Sequence, residues 1–187
     1  MAVREAYRAP DGKLHGDAGA GDWVGGSVPG QSQRPDARFR AYLRNSLPND
    51  TDILHEYFIP RSQFVSFVDG MRKVLTDNKT NLLNASVRVV HQENNFLTYS
   101  PEPAFSLVLY LTQTTDDEGN RRMKKATEEL IDLTIAHKGR FFLPYQLYYS
   151  RDQLQRSYPQ INEFFAAKRK YDPTELFTNT FYQKYAS

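Results

Sequence analysis

Within Ala104–Gln113, AFSLVLYLTQ, a large apolar residue stands at every second position: Phe105, Leu107, Leu109 and Leu111. Successive side chains of a strand point to opposite faces of a sheet, so this period of two predicts a strand with one face on a helix-covered core. Ser106, Val108 and Tyr110 then share the second face, which is too polar for a core and too apolar for open water. A chain with such a strand must supply helices for the first face and further strands for the edges.

The residues from Asp52 onward supply both. Ile53–Pro60, ILHEYFIP, is β-branched and aromatic and ends in proline, which predicts a strand. Phe64, Phe67, Val68, Met71, Val74 and Leu75 recur at spacings of three and four, predicting a helix over 62–76 with Ser62 as its N-cap. A strand over Leu82–Gln92 places Ser86, Arg88 and Val90 on the face of Ser106. A second helix from the TDDEGN turn to about Lys138 is expected to stop at Gly139, and a short strand follows. The fold class expected is α+β, an antiparallel sheet of split βαβ type with helices packed on one face.

Residues 1–50 differ in texture. They hold seven of the ten glycines and four of the ten prolines among small and charged residues, the composition of a disordered tail. GDAGAG, Gly16 to Gly21, lacks the preceding strand and following helix that a phosphate loop requires. The folded domain is therefore expected over 51–187.

Composition removes several function classes. With 24 basic and 22 acidic residues and no basic run longer than KRK at 168–170, the chain has no nucleic-acid footprint. Without cysteine it has no thiolate nucleophile and no cysteine-ligated metal, and its four histidines show no metal-binding spacing. No apolar run reaches the length of a membrane span or a signal peptide, so a cytoplasmic or peripherally membrane-associated protein is expected.

The aromatic density of Gly139–Tyr185 suggests a pocket wall. Arg88 reads either as a strand arginine in a salt bridge to Glu56 or as a clamp for an anion or carbonyl. Tyr145 reads as an aromatic packing residue or as part of a site.

Three stretches bear a family resemblance: HEYFIP (55–60) before an amphipathic helix, VRVVHQENNFLTYSP (87–101), and the ending from Gly139-Arg140 through Tyr158-Pro159 to KRKYDPTELFTNTFY. Together they resemble the C-terminal substrate (cap) domain of FAD-linked oxidases of the vanillyl-alcohol-oxidase type, especially the arabinonolactone and gulonolactone oxidases and the decaprenylphosphoryl-ribose oxidases. The resemblance implies oxidation of a sugar or aldonolactone CH–OH group by hydride transfer to flavin. It implies Arg88 and Tyr145 as catalytic residues, with Ser106, Val108 and Tyr145 against the flavin and Arg88, Tyr110 and Phe142 against the substrate. Tyr145 stands where the family commonly has a lysine, and Ser86 where the lactone oxidases often have a glutamate. The family's FAD-binding domain has no counterpart in residues 1–50, so FAD is expected to come from a missing N-terminal domain, with a separate FAD-binding domain as a candidate partner. Alone, this chain is expected to be inactive. A non-catalytic α+β binding module or a gene fragment is the alternative.

Overall fold

The computed structural model describes residues 48–186, so the expected tail lies almost wholly outside the described residues. Strand β1 (Asp50–Pro60) leads through a 3₁₀ turn, Arg61–Gln63, into helix α1 (Phe64–Asp77). Strands β2 (Asn81–Val90) and β3 (Ala104–Thr114), helix α2 (Asp117–Ala136) and strand β4 (Arg140–Phe141) follow. Three helices close the described chain: α3 (Arg151–Ser157), α4 (Ile161–Tyr171) and α5 (Thr180–Tyr185).

The sheet order is β2-β3-β1-β4, and every neighbouring pair is antiparallel. Strands β1 and β2 therefore run parallel with β3 between them, the split βαβ arrangement of an α+β fold. Tyr57 lies opposite Leu107 and His55 opposite Leu109, so these side chains share the helix-covered face. Leu107, Leu109 and Leu111 are buried there with Phe67, Met71 and Leu75 of α1 and Met123, Leu130 and Ile131 of α2. Phe105 packs edge-on against Phe64 at 4.9 Å, so all four alternating residues meet the helical layer.

Three boundaries differ from the sequence reading. Ser62 does not cap α1; it lies within the 3₁₀ turn, and Gln63 holds the cap position without a side-chain bond. Pro60 has the restricted φ of its ring and starts that tight turn directly from the strand. Strand β2 ends at Val90, whose partner Ala104 is the first residue of β3, so His91 and Gln92 have no rung to occupy.

The third difference is at the end of α2. The left-handed residue is Lys138, with φ 57°, and not Gly139. Gly139 is required for a different reason: a Cβ there would lie 2.6 Å from Ile59 Cδ1 and 2.7 Å from the Phe58 carbonyl oxygen. The glycine lets the chain leave α2 in contact with β1 and enter β4. At its other end α2 is capped by Asp116, whose carboxylate accepts the Gly119 N–H at 2.7 Å.

The aromatic ending is largely core. Tyr149, Tyr158, Phe165, Tyr182 and Tyr185 are all buried. Tyr185 stacks on Tyr149 at 4.8 Å and donates to the Tyr149 carbonyl, while Tyr158 donates to the Phe141 carbonyl at 2.5 Å. Tyrosine suits this place because each ring fills volume while its hydroxyl satisfies an acceptor, a backbone carbonyl for Tyr149, Tyr158 and Tyr185 and the Glu175 carboxylate for Tyr182. The pocket-wall reading of 139–185 thus narrows to Phe142 and Tyr145. No helix among the described residues is long and apolar enough to cross a membrane.

Candidate functional site

The second face of the sheet is partly covered, and a charged cluster lies where the cover begins. Glu56 lies opposite Val108, Phe58 opposite Ser106, and Arg88 opposite Ser106 from the other side, so all share this face. Glu56 Oε1 accepts from Arg88 Nη2 at 2.8 Å and from Ser106 Oγ at 2.5 Å. The Glu56 side chain is 9% exposed and that of Arg88 60%. The carboxylate is thus fixed inside, and the guanidinium reaches from it toward solvent. Arg88 forms no other hydrogen bond among the described residues, so its remaining N–H groups face outward as donors.

An aromatic run borders this cluster. Phe58 stacks on Tyr99 at 5.0 Å, Tyr99 meets Phe142 at 5.2 Å, and Phe142 meets Tyr145 at 4.7 Å. Burial raises the Tyr145 phenol above its ordinary pKa; the Glu56 carboxylate raises it further and Arg88 opposes the rise. Tyr145 therefore stands within electrostatic reach of both members of the ion pair and keeps its proton at neutral pH. Two segments hold the run in place. Glu93 accepts the backbone N–H groups of Tyr99 and Ser100, which folds the 91–103 loop over the sheet. Phe142 N–H bonds the Glu56 carbonyl at 2.9 Å, which carries β4 on toward Tyr145.

Of the residues singled out in the sequence, Arg88, Ser106, Phe142 and Tyr145 surround one carboxylate, and half-buried Val108 lies beside them on the same face. Tyr110 is on this face too, but its hydroxyl donates to Asp52 Oδ2 at 3.0 Å, and Thr112 donates to the same carboxylate. That places the Tyr110 phenol in a second cluster further along β1. The two readings of Arg88 are compatible, because the bond to Glu56 uses one nitrogen of the guanidinium. Glu56 is the central residue that sequence reasoning treated only as a salt-bridge partner. Its signal was the alternation of β1, which puts Glu56 on the polar face while its neighbours His55 and Tyr57 enter the core.

Behind the cluster is a small, half-open pocket of ≈ 20 Å³ lined by Glu56, Tyr145, Gln146, His55 and Thr127 among others, enough for one water. Gln146 Oε1 is buried there without a protein partner. The KYDPTELF segment serves the fold. Asp172 accepts Lys168 at 2.7 Å and the N–H groups of Leu176 and Phe177, and Lys168 lies over the Tyr182 ring. No cluster of three metal-ligating side chains occurs among the described residues.

Fold and cluster together define an α+β module with an arginine–carboxylate pair, a buried serine, a tyrosine hydroxyl and an aromatic wall on its partly covered second face. No family model matches the chain. It is 27% identical over 156 residues to an alditol oxidase of Streptomyces sp. (strain IKD472 / FERM P-14339), a match that covers 82% of this chain and 36% of the relative. The chain thus spans about a third of the length of that curated relative.

Proposed function

We propose that this chain is the substrate-positioning part of an FAD-dependent oxidoreductase that oxidises a CH–OH group of a sugar, alditol or aldonolactone. The observation that carries the reading is the Glu56–Arg88–Ser106 cluster beside Tyr145 and Phe142, at the edge of the partly covered second face. The resemblance in 55–60, 87–101 and 139–182 and the likeness to an alditol oxidase support it.

The residues fit the ring of a flavin and not the whole dinucleotide. Val108 offers half-buried apolar surface and Tyr145 a hydroxyl at its side, whereas Ser106 is buried and gives its proton to Glu56, so it supports the cluster from beneath. The described glycines, Gly70, Gly119 and Gly139, form no glycine-rich turn leading into a helix that would cradle a diphosphate. A flavin seated there supplies the hydride acceptor for the substrate carbon. The chain's own residues do the rest: Glu56 fixes the Arg88 guanidinium, whose outward N–H groups hold a substrate hydroxyl or carbonyl oxygen. Tyr145, protonated at neutral pH, donates a hydrogen bond where the family commonly places a cation. Phe142 and Tyr99 wall the reacting carbon against water.

Calorimetry with an alditol and with an aldonolactone tests this. Binding is expected for the chain and a loss of about tenfold or more for Arg88→Ala, since a charge-assisted hydrogen bond contributes about 1.5–3 kcal/mol. Equal binding by the variant, or none by either protein, overturns the clamp. Purified with excess FAD, the chain alone is expected to elute without flavin absorbance; retained flavin would mean that it holds the dinucleotide unaided. Binding of sugar with no gain of redox activity beside any flavin domain would favour the non-catalytic module.

A further inference from the structure

The Glu56 carboxylate has one oxygen to spare. Both of its hydrogen bonds, from Arg88 Nη2 and Ser106 Oγ, end on Oε1, and no described residue donates to Oε2. The other carboxylate of this region is fully used: Glu93 accepts the Tyr99 and Ser100 N–H groups on Oε1 and the Asn95 amide on Oε2. Two phenols near Glu56 are unengaged as well, since the Tyr99 and Tyr145 hydroxyls form no hydrogen bond among the described residues. Burial raises both phenols above their ordinary pKa and Glu56 adds to each rise, so both stand in the field of its carboxylate yet beyond bonding distance. Glu56 and Tyr145 also line the half-open pocket of ≈ 20 Å³ in which Gln146 Oε1 lacks a donor.

A carboxylate oxygen and a phenol that do not touch each other suit a group between them that donates to the first and accepts from the second. A hydroxyl does both, whereas a carbonyl or a carboxylate only accepts. Size points the same way, because the pocket has room for one water-sized group. Charge gives a third reason. The Arg88 side chain is 60% exposed, so water screens its attraction for an anion, whereas Glu56 at 9% keeps its repulsion. We infer that Glu56 is a specificity-determining residue: its Oε2 accepts from a ligand hydroxyl that in turn accepts from Tyr145, and the site thereby takes a neutral polyol and rejects the sugar acid of the same carbon chain. The inference rests on the sugar-binding role of Arg88 proposed above and adds a contact of opposite polarity. Arg88 donates to one ligand oxygen, and Glu56 accepts from another.

Calorimetry of the full chain with an alditol and with the aldonate of equal length is the test. At neutral pH the wild type is expected to bind the alditol more tightly, by about tenfold or more. Glu56→Gln keeps an oxygen for Arg88 and Ser106, whose two donors orient the new amide, and sets an N–H donor in place of Oε2. It is expected to weaken the alditol about tenfold or more and to leave the aldonate unchanged or tighter, with an unchanged circular dichroism spectrum. Tyr145→Phe is expected to weaken the alditol about threefold or more. In the double variant the loss is expected to be smaller than the product of the two, because both residues hold one hydroxyl. An unchanged alditol affinity in Glu56→Gln, or a parallel loss for both ligands, overturns the inference and leaves Glu56 an anchor for Arg88. Independent losses in the double variant overturn it as well. If Arg88→Ala abolishes binding and Glu56→Gln does not, the clamp stands and this inference alone falls; if the wild type binds neither ligand, both fall.

Discussion

Lowering the pH from 6.5 to 4 is expected to remove about 3 kcal/mol of folding free energy through one side chain, His55. The imidazole is buried between β1 and α2. Thr127 donates its only hydroxyl proton to the Met123 carbonyl at 2.7 Å, so its oxygen accepts from His55 Nε2 at 3.4 Å. Nδ1 is then the acceptor for the Tyr57 hydroxyl at 3.0 Å. Both ring nitrogens are committed in the neutral tautomer, and burial lowers the pKa from 6.5 to about 4. Between those values the unfolded chain binds a proton that the folded chain does not. The stabilisation is therefore complete above pH 6.5 and lost as pH falls toward 4. Urea midpoints measured at intervals across this range are expected to fall for the wild type and to fall much less for His55→Gln. Asp116 and Asp172, held below the usual carboxyl range chiefly by hydrogen bonds from Thr114 and from Lys168, lose their contributions below about pH 4, outside this window. A parallel decline in both proteins would show that other groups govern the acid limb.

Gly139→Ala is expected to cost about 2–3 kcal/mol, in the range of core overpacking. The new Cβ meets Ile59 Cδ1 and the Phe58 carbonyl oxygen, and the latter belongs to the backbone of the central strand β1. Relief requires moving β1 from β4, which disturbs the path to Phe142 and Tyr145. Gly70→Ala is the informative comparison. Its Cβ would lie 2.8 Å from Leu133 Cδ1, the end of a side chain that can rotate, and alanine is favoured over glycine in a helix by about 1 kcal/mol. Chemical denaturation is expected to show a large loss for Gly139→Ala and a small change for Gly70→Ala. Equal losses would place the rigidity in α2 and not at the β1–β4 junction.

These two positions show what was legible in advance. Gly139 was marked as a helix stop from its place after an apolar stripe, and a stop does occur nearby. The reason it must be glycine is a contact with β1, roughly eighty residues earlier in the chain, which no local pattern encodes. His55 offered no metal spacing and so no role; its pairing with Thr127 joins a strand to a helix 72 residues away. The candidate site divides in the same way. Alternation along β3 placed Ser106 and Val108 on one face with Arg88, and the sheet register agrees. Tyr110 met the same criterion, yet its phenol is drawn to Asp52, because alternation assigns a face and not a direction along it. The aromatics of 139–185 were dense enough to suggest a wall, but many of them extend the hydrophobic core beneath α3, α4 and α5.

The sequence by itself determined the order of elements from β1 to β4, the α+β class and the faces of β2 and β3, while the three C-terminal helices were not read from it. Periods of two and near 3.6 are properties of the backbone, and residues within one element report them directly. Tertiary structure alone decided that Glu56 is the carboxylate shared by Arg88 and Ser106, and that Tyr145 stands beside it. It also decided that β2 is the end strand of the sheet among the described residues. Each of these depends on the lateral order of strands, set by packing between residues far apart in the chain, which periodicity cannot see.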